Sequence, residues 1–234
     1  MTALPRLTPR QSDAMADRFL DHCRTTGVLA PDAPAASWTG FHALRDRLKA
    51  GFHVPTTTLT PLAARVLYGL AAAHRPAAVA TLGCFAGNLM AWVSGPGFGP
   101  GPRYPGERAL GVDVDADAVH LASGNLRRAG FAAGARAVVA DAFDAAGLSA
   151  GATWDLLLID IDVPGARKSG YARLLERWLP HLAPGALVIA HDVCHPAFTW
   201  DLRDYAAFAT DRGAVATTTL PVDDCGLEVT RWPG

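Results

Sequence analysis

The sequence predicts an α/β fold built on a mostly parallel sheet with helices on both faces, and three observations carry that prediction. Short apolar runs alternate with helix-patterned segments from residue 78 onward, aspartates stand at the ends of successive runs, and the chain closes on two β-rich runs separated by a turn. Strands buried on both faces read as continuous apolar runs rather than alternating ones, the pattern at 78–82, 109–114, 135–140, 155–160 and 186–191.

Residues 10–30 and 36–51 carry apolar side chains at helical spacing, Met15, Phe19 and Leu20 in the first and Phe41, Leu44 and Leu48 in the second, with the proline-rich APDAPAAS between them. Residues 1–55 therefore read as an N-terminal helical cap and 56–234 as the larger domain. Thr60 is suited to cap a helix that Pro61 begins and that runs to about His74: the threonine oxygen can accept a first-turn N–H, and proline lacks the N–H that a first helical residue leaves unpaired. Further helices are expected near Gly87, Asp117 and Gly170. SGPGFGPGPRYPG, 94–106, is expected to be a loop because of its glycine and proline content. AVATTTLPV and CGLEVTRW predict an antiparallel hairpin closing the sheet.

Composition narrows the function. Of 234 residues half are hydrophobic, enough for a sizeable core. A net charge of -1 provides no field to attract nucleic acid, and no 18-residue apolar run predicts a membrane span. The first residues, MTALPRLTPRQSDAMADRF, lack the apolar stretch of a signal peptide, so a cytoplasmic protein is expected. Cys23, Cys84, Cys194 and Cys225 are widely spaced without a C-x-x-C pair, which favours thiols over disulfides or structural zinc. Abundant arginine, alanine, glycine and proline suggest a high-GC bacterial genome.

In an α/β sheet the ligand crevice lies beyond the carboxyl ends of the strands, and LGCFAG falls at the end of the first. Gly83 and Gly87 would let backbone approach a ligand, but their spacing is not the dinucleotide fingerprint G-x-G-x-x-G. Asp113, Asp141 and Asp160 end the second, third and fourth strands, and the Asp113 carboxylate could accept hydrogen bonds from both hydroxyls of a ribose.

Taken together, VATLGCFAG, GVDVDADAVHLASGNLRRAGF, VVADAFD, WDLLLIDID and LPHLAPGALVIAHDV resemble the motif series of class I S-adenosylmethionine-dependent methyltransferases. The nearest likeness is to small-molecule O-methyltransferases of the catechol and caffeoyl-CoA type and a related bacterial group whose last strand ends in His-Asp. The resemblance covers residues from about 56 to the end and implies a Rossmann-like sheet in the order 3-2-1-4-5-7-6. It implies S-adenosylmethionine as cofactor, held by Gly83, Phe85, Gly87, Asn88, Asp113, Asp141, Ala142, Phe143, Asp160, Thr57 and Thr58. The acceptor is expected to be a small molecule, methylated on oxygen in secondary metabolism and contacted by Tyr171, Asp192, Phe198 and Trp200. His191 or His195, with Asp160, is the expected general base, since an imidazole titrates near neutrality. A homodimer is expected by analogy alone.

The departures from the family pattern bear on mechanism. Thr81 stands where an acidic residue is usual, and Val163 where metal-dependent relatives place a lysine base. Lys168, five residues on, is expected to face solvent. Asp160, His191 and Asp192 occupy the positions of a divalent-metal set, but histidine suits a transition metal better than Mg²⁺, and no metal is the favoured expectation. Two alternatives stand beside methyl transfer. One is cyclisation of the cofactor to azetidine-2-carboxylate and methylthioadenosine; the other is cofactor binding without turnover.

Overall fold

The computed structural model describes residues 7–55, 57 and 59–233. Five strands, β1 (Ala78–Leu82), β2 (Arg108–Asp113), β3 (Ala135–Val139), β4 (Trp154–Ile159) and β5 (Leu182–His191), run parallel. A C-terminal hairpin of β6 (Ala216–Leu220) and β7 (Leu227–Arg231) joins them through an antiparallel β5–β7 pairing. The order is β3-β2-β1-β4-β5-β7-β6, as the motif series implies. β5 begins four residues before the expected 186, and the β4–β5 register shifts between Trp154 and Leu156 to accommodate that early segment.

The strands alternate between two cores. Val79, Leu156 and Leu158 face one, Ala80, Leu157 and Ile159 the other. The first core takes α1 (Pro9–Thr25), α2 (Trp38–Gly51), α3 (Pro61–His74), α4 (Asn88–Phe98) and the end of α5 (Ala116–Ala129). The second takes α6 (Ala145–Ser149), α7 (Tyr171–Trp178), α8 (Thr199–Leu202) and α9 (Tyr205–Asp211). Thr60 caps α3 as expected, its Oγ1 3.2 Å from the Ala63 N–H, and Pro61 is the first helical residue. Thr8 and Gln11 form a capping box that starts α1.

The expected loop at 94–106 is helical in its first part, because α4 continues through Pro96 to Phe98. Tertiary packing overrides composition there. Gly95 lets the Leu44 side chain of α2 come so close that a Cβ would lie 2.3 Å from it, and Ser94 Oγ bonds the Met90 carbonyl at 2.6 Å. Among the described residues no helix is long and apolar enough to cross a membrane, and the four cysteines form no disulfide.

Asn125 ties the N-terminal region to the rim of the sheet. Its buried amide accepts from the His53 N–H at 2.8 Å and donates to the carbonyls of His53 and Ala86, both at 2.8 Å. One side chain thus fixes the segment between α2 and α3 against the β1–α4 turn. Asn125→Leu strands these backbone groups and is expected to lower stability by about 2–4 kcal/mol. Urea unfolding measures it; an unchanged midpoint would mean that the tie carries no net stability.

Candidate active site

The site starts from a close approach of two backbones. Gly83, just past β1, has φ +81°, and a Cβ there would lie 1.9 Å from the carbonyl oxygen of Asp160 at the end of β4. Only glycine fits. The turn that follows is held by Gly83 and Cys84 N–H groups donating to the Val112 carbonyl at 2.9 and 3.0 Å, and by the Gly87 N–H donating to Cys84. Phe85 takes a left-handed φ of 43°, uncommon for a bulky residue, and its N–H donates to Asp113 Oδ2 at 2.8 Å. Asp113 Oδ1 accepts from the Asp115 N–H at 3.1 Å, so both oxygens of this carboxylate are oriented and each keeps a lone pair for a further donor.

A cavity of about 670 Å³ opens over the carboxyl ends of β1, β2, β4 and β5, within the range of small-molecule sites. Of the residues singled out from the sequence, Gly83, Phe85, Asn88, Thr57, Asp113, Asp141, Ala142, Phe143, Asp160, His191 and Asp192 line it. Thr57 Oγ1 accepts from Asn88 Nδ2 at 3.1 Å and from the Leu59 N–H at 3.1 Å, which brings the segment before α3 over the turn. Asp141 Oδ1 accepts the Phe143 N–H, and the Ala142 carbonyl is taken by the Trp178 indole at 2.8 Å. One face of Phe143 is covered by Arg173, whose guanidinium carbon lies 4.7 Å from the ring centroid. Thr58 lies outside the described residues.

At the opposite end of the cavity four ionisable groups converge, and one of them corrects the sequence reading. Lys168 does not face solvent: its side chain is 3 % exposed and its Nζ lies 2.8 Å from Asp160 Oδ1 and 2.9 Å from Asp192 Oδ2. The chain returns it there. Val163 and Arg167 pair across a turn through Pro164 and Gly165, with Arg167 at φ 48°, and a short 3₁₀ segment then begins at Lys168. Val163 is buried against Gly170, where a Cβ would lie 2.4 Å from its methyl carbon. The valine at the expected base position therefore braces the turn that carries the lysine.

His191 Nδ1 lies 3.2 Å from Asp192 Oδ1 and 3.5 Å from Asp160 Oδ2, close enough for ion pairing but out of line for a hydrogen bond. Burial alone would lower its pKa, but the two carboxylates outweigh burial and raise it from 6.5 to about 10. The same carboxylates favour the imidazolium form of His191, which bears on its expected role as a general base. Burial would likewise lower the pKa of Lys168, and the same carboxylates hold it above its usual value. Asp192, against the opposing effect of burial, is held well below the usual carboxylate range by His191 and Lys168. Its φ of 69° is a left-handed conformation that aspartate tolerates better than most residues. His191, Asp192 and Cys225 also offer ligand atoms within 4.8 Å of one another.

The remaining expected residues are not on the cavity wall. Gly87 caps α4 at φ +83° and packs on Ala122. Tyr171 is fully buried beneath the cluster, edge-on to Tyr205, because α7 turns that face into the second core. His195 Nδ1 accepts the Ala197 N–H at 3.2 Å and the ring packs beside Phe198. Phe198 reaches the site only indirectly, with Lys168 Nζ 5.3 Å from its ring centroid. Trp200 is 79 % exposed, its ring covered by Arg203. Sequence reasoning missed Lys168, Arg173, Val54 and Leu59, all on the wall. No local pattern marks them.

Residues 81–193 match a protein family described as a methyltransferase domain. The fold of the chain is the Rossmann-like fold of class I methyltransferases. Among solved structures, similar folds include an O-methyltransferase from Bacillus cereus in complex with SAH, with TM-score 0.64, 15 % identity, and 96 % of this chain and 100 % of that one covered. The O-methyltransferase TomG from Streptomyces achromogenes, involved in tomaymycin synthesis and in complex with SAM, gives 0.64 at 17 % identity over 98 % and 100 %. A putative caffeoyl-CoA O-methyltransferase from Staphylococcus aureus gives 0.63 at 14 % identity over 94 % and 99 %. The sequence matches no curated protein.

The raised pKa of His191 makes the stability of the fold depend on pH. A group protonated more tightly when folded stabilises fully below its unfolded pKa of 6.5 and loses that contribution as pH rises toward about 10. Unfolding free energy, from urea titrations at several pH values, is expected to fall across that window, and His191→Gln to flatten the fall. An equal slope in the variant would place the linkage elsewhere.

Proposed function

We propose that this chain is an S-adenosylmethionine-dependent methyltransferase that acts on a hydroxyl group of a small molecule. The observation that carries the proposal is one continuous cavity with a ribose-suited carboxylate, Asp113, at the glycine turn and the Asp160–Lys168–Asp192–His191 cluster at its other end. The residues present fit the cofactor: Asp113 keeps lone pairs for ribose hydroxyls, Asp141 keeps an oxygen for the adenine edge, and Gly83 leaves room for the methionine part. When bound, the cofactor supplies a methyl group already activated on a sulfonium. The protein then has to hold the acceptor oxygen in line, exclude water and take up a proton. In this reading Asp160, whose side chain is 21 % exposed against 12 % for Asp192, faces the acceptor hydroxyl and accepts its proton. His191 and Lys168 stabilise negative charge as it grows on the oxygen.

Val54 on the wall supports reading residues 1–55 as a cap that also encloses the site. The likeness to TomG supports a place in secondary metabolism, and the chain's net charge of -1 favours a small acceptor over nucleic acid. Calorimetry with S-adenosylhomocysteine tests the cofactor site: Asp113→Asn is expected to weaken binding by about 1–3 kcal/mol, and unchanged affinity would place the cofactor elsewhere. Incubation with S-adenosylmethionine alone tests the reaction. No enzyme-dependent turnover is expected without acceptor, whereas stoichiometric methylthioadenosine with azetidine-2-carboxylate would replace methyl transfer by cyclisation.

A further inference from the structure

Two carboxylates and a histidine converging at a cavity end would ordinarily be read as a divalent-cation site. The fit is wrong for one. Mg²⁺ holds its oxygens at about 2.0–2.1 Å and Ca²⁺ at about 2.3–2.6 Å, whereas the position between Asp160 and Asp192 is filled by Lys168 Nζ with oxygens at 2.8 and 2.9 Å, the spacing of charge-assisted hydrogen bonds. We infer that the ammonium of Lys168 is the resident cation of this site, standing where a divalent metal would otherwise bind and presenting one N–H to a single acceptor oxygen.

The donor count supports the second half of that statement, which rests on the proposed function. An ammonium has three N–H donors; Asp160 accepts one at 2.8 Å, Asp192 engages a second side of Nζ as an ion pair at 2.9 Å, and Asp162, at 3.9 Å, is beyond hydrogen-bond distance. The third remains for the cavity that Lys168 lines. A metal ion can chelate two neighbouring hydroxyls at once, while one N–H serves one oxygen. The acceptor class is therefore a lone hydroxyl or phenol and does not require a vicinal diol. The placement is also held from outside the cluster. Arg167, next in the chain, donates to the Ala197 carbonyl at 2.9 Å and lies over the Phe198 ring, so the turn delivering Lys168 is clamped to the segment after β5. Lys168 is one of two lysines in the chain, the other being Lys49.

The test reads metal binding rather than turnover. Mn²⁺ is titrated into the full chain and the unbound ion followed by electron paramagnetic resonance, with a parallel Zn²⁺ titration by calorimetry to probe His191, Asp192 and Cys225. The chain as it stands is expected to bind neither ion stoichiometrically. Lys168→Ala is expected to gain one Mn²⁺ equivalent, lost again in Lys168→Ala with Asp192→Asn, and Lys168→Gln serves if the alanine variant does not fold. S-adenosylhomocysteine calorimetry on each variant reports folding and the cofactor half independently, so a failure of the proposed function is distinguishable. Stoichiometric Mn²⁺ or Zn²⁺ on the unaltered chain, abolished by Asp192→Asn, would overturn the inference. So would a Lys168 variant that binds S-adenosylhomocysteine normally and takes up no Mn²⁺.

Discussion

Everything at the rim of the sheet depends on how closely the ends of β1 and β4 approach. Asp160 donates its N–H to the Leu82 carbonyl at 2.8 Å, continuing the parallel ladder one residue past β4, and its own carbonyl then sits where a side chain on residue 83 would have to be. Glycine at 83 lets the ladder continue that far. Its positive φ turns the chain away at once toward α4, so the glycine turn and the Asp160 carboxylate open onto the same cavity. A sheet whose central strands ended further apart would separate the two halves of the site.

The polar end of the cavity is a balance of burial against pairing. Two carboxylates and two cations share a small volume, and removing water from any one alone would cost several kcal/mol. Paired, they hold each other ionised: the carboxylates keep Lys168 and His191 protonated, and those cations keep Asp192 ionised. The left-handed Asp192 and Phe85 both lie on the cavity wall, where backbone strain tends to persist because surrounding contacts over-determine it. This end is therefore preorganised, its charges already set at the spacing that an incoming oxygen would meet.

The segment between α2 and α3 and the turn that carries Lys168 both reach the cavity. Asn125 fixes the backbone at His53 against the glycine turn, and Thr57 meets Asn88 nearby. Across the opening, Arg167 joins the lysine turn to residues 197–201, with its guanidinium 3.4 Å from Asp201. These contacts bridge segments far apart in sequence, which is why the site's shape does not follow from the motif series alone.

The strand order was implied by the resemblance of the motif series, while the sequence by itself determined the strands, the α3 cap, the glycine turn and the aspartates at the strand ends. These rest on local rules: apolar runs bury in a parallel sheet, threonine and proline start helices, and glycine alone tolerates the backbone at 83. Helix α4 was partly illegible because Gly95 and Pro96 disfavour a helix in isolation, and tertiary packing keeps it, chiefly against α3 and, at Gly95, against Leu44 of α2. The tertiary structure alone decided which ionisable groups meet. Lys168 reads as a surface lysine because nothing within a few residues shows that the turn at 163–167 folds back, and the energy that holds it comes from Asp160 and Asp192 on two different strand ends. The same distance rule removed Tyr171, His195 and Trp200 from the wall. Side-chain type is written in the sequence, but electrostatic pairing depends on separation in space, and that is set only when the chain has closed on itself.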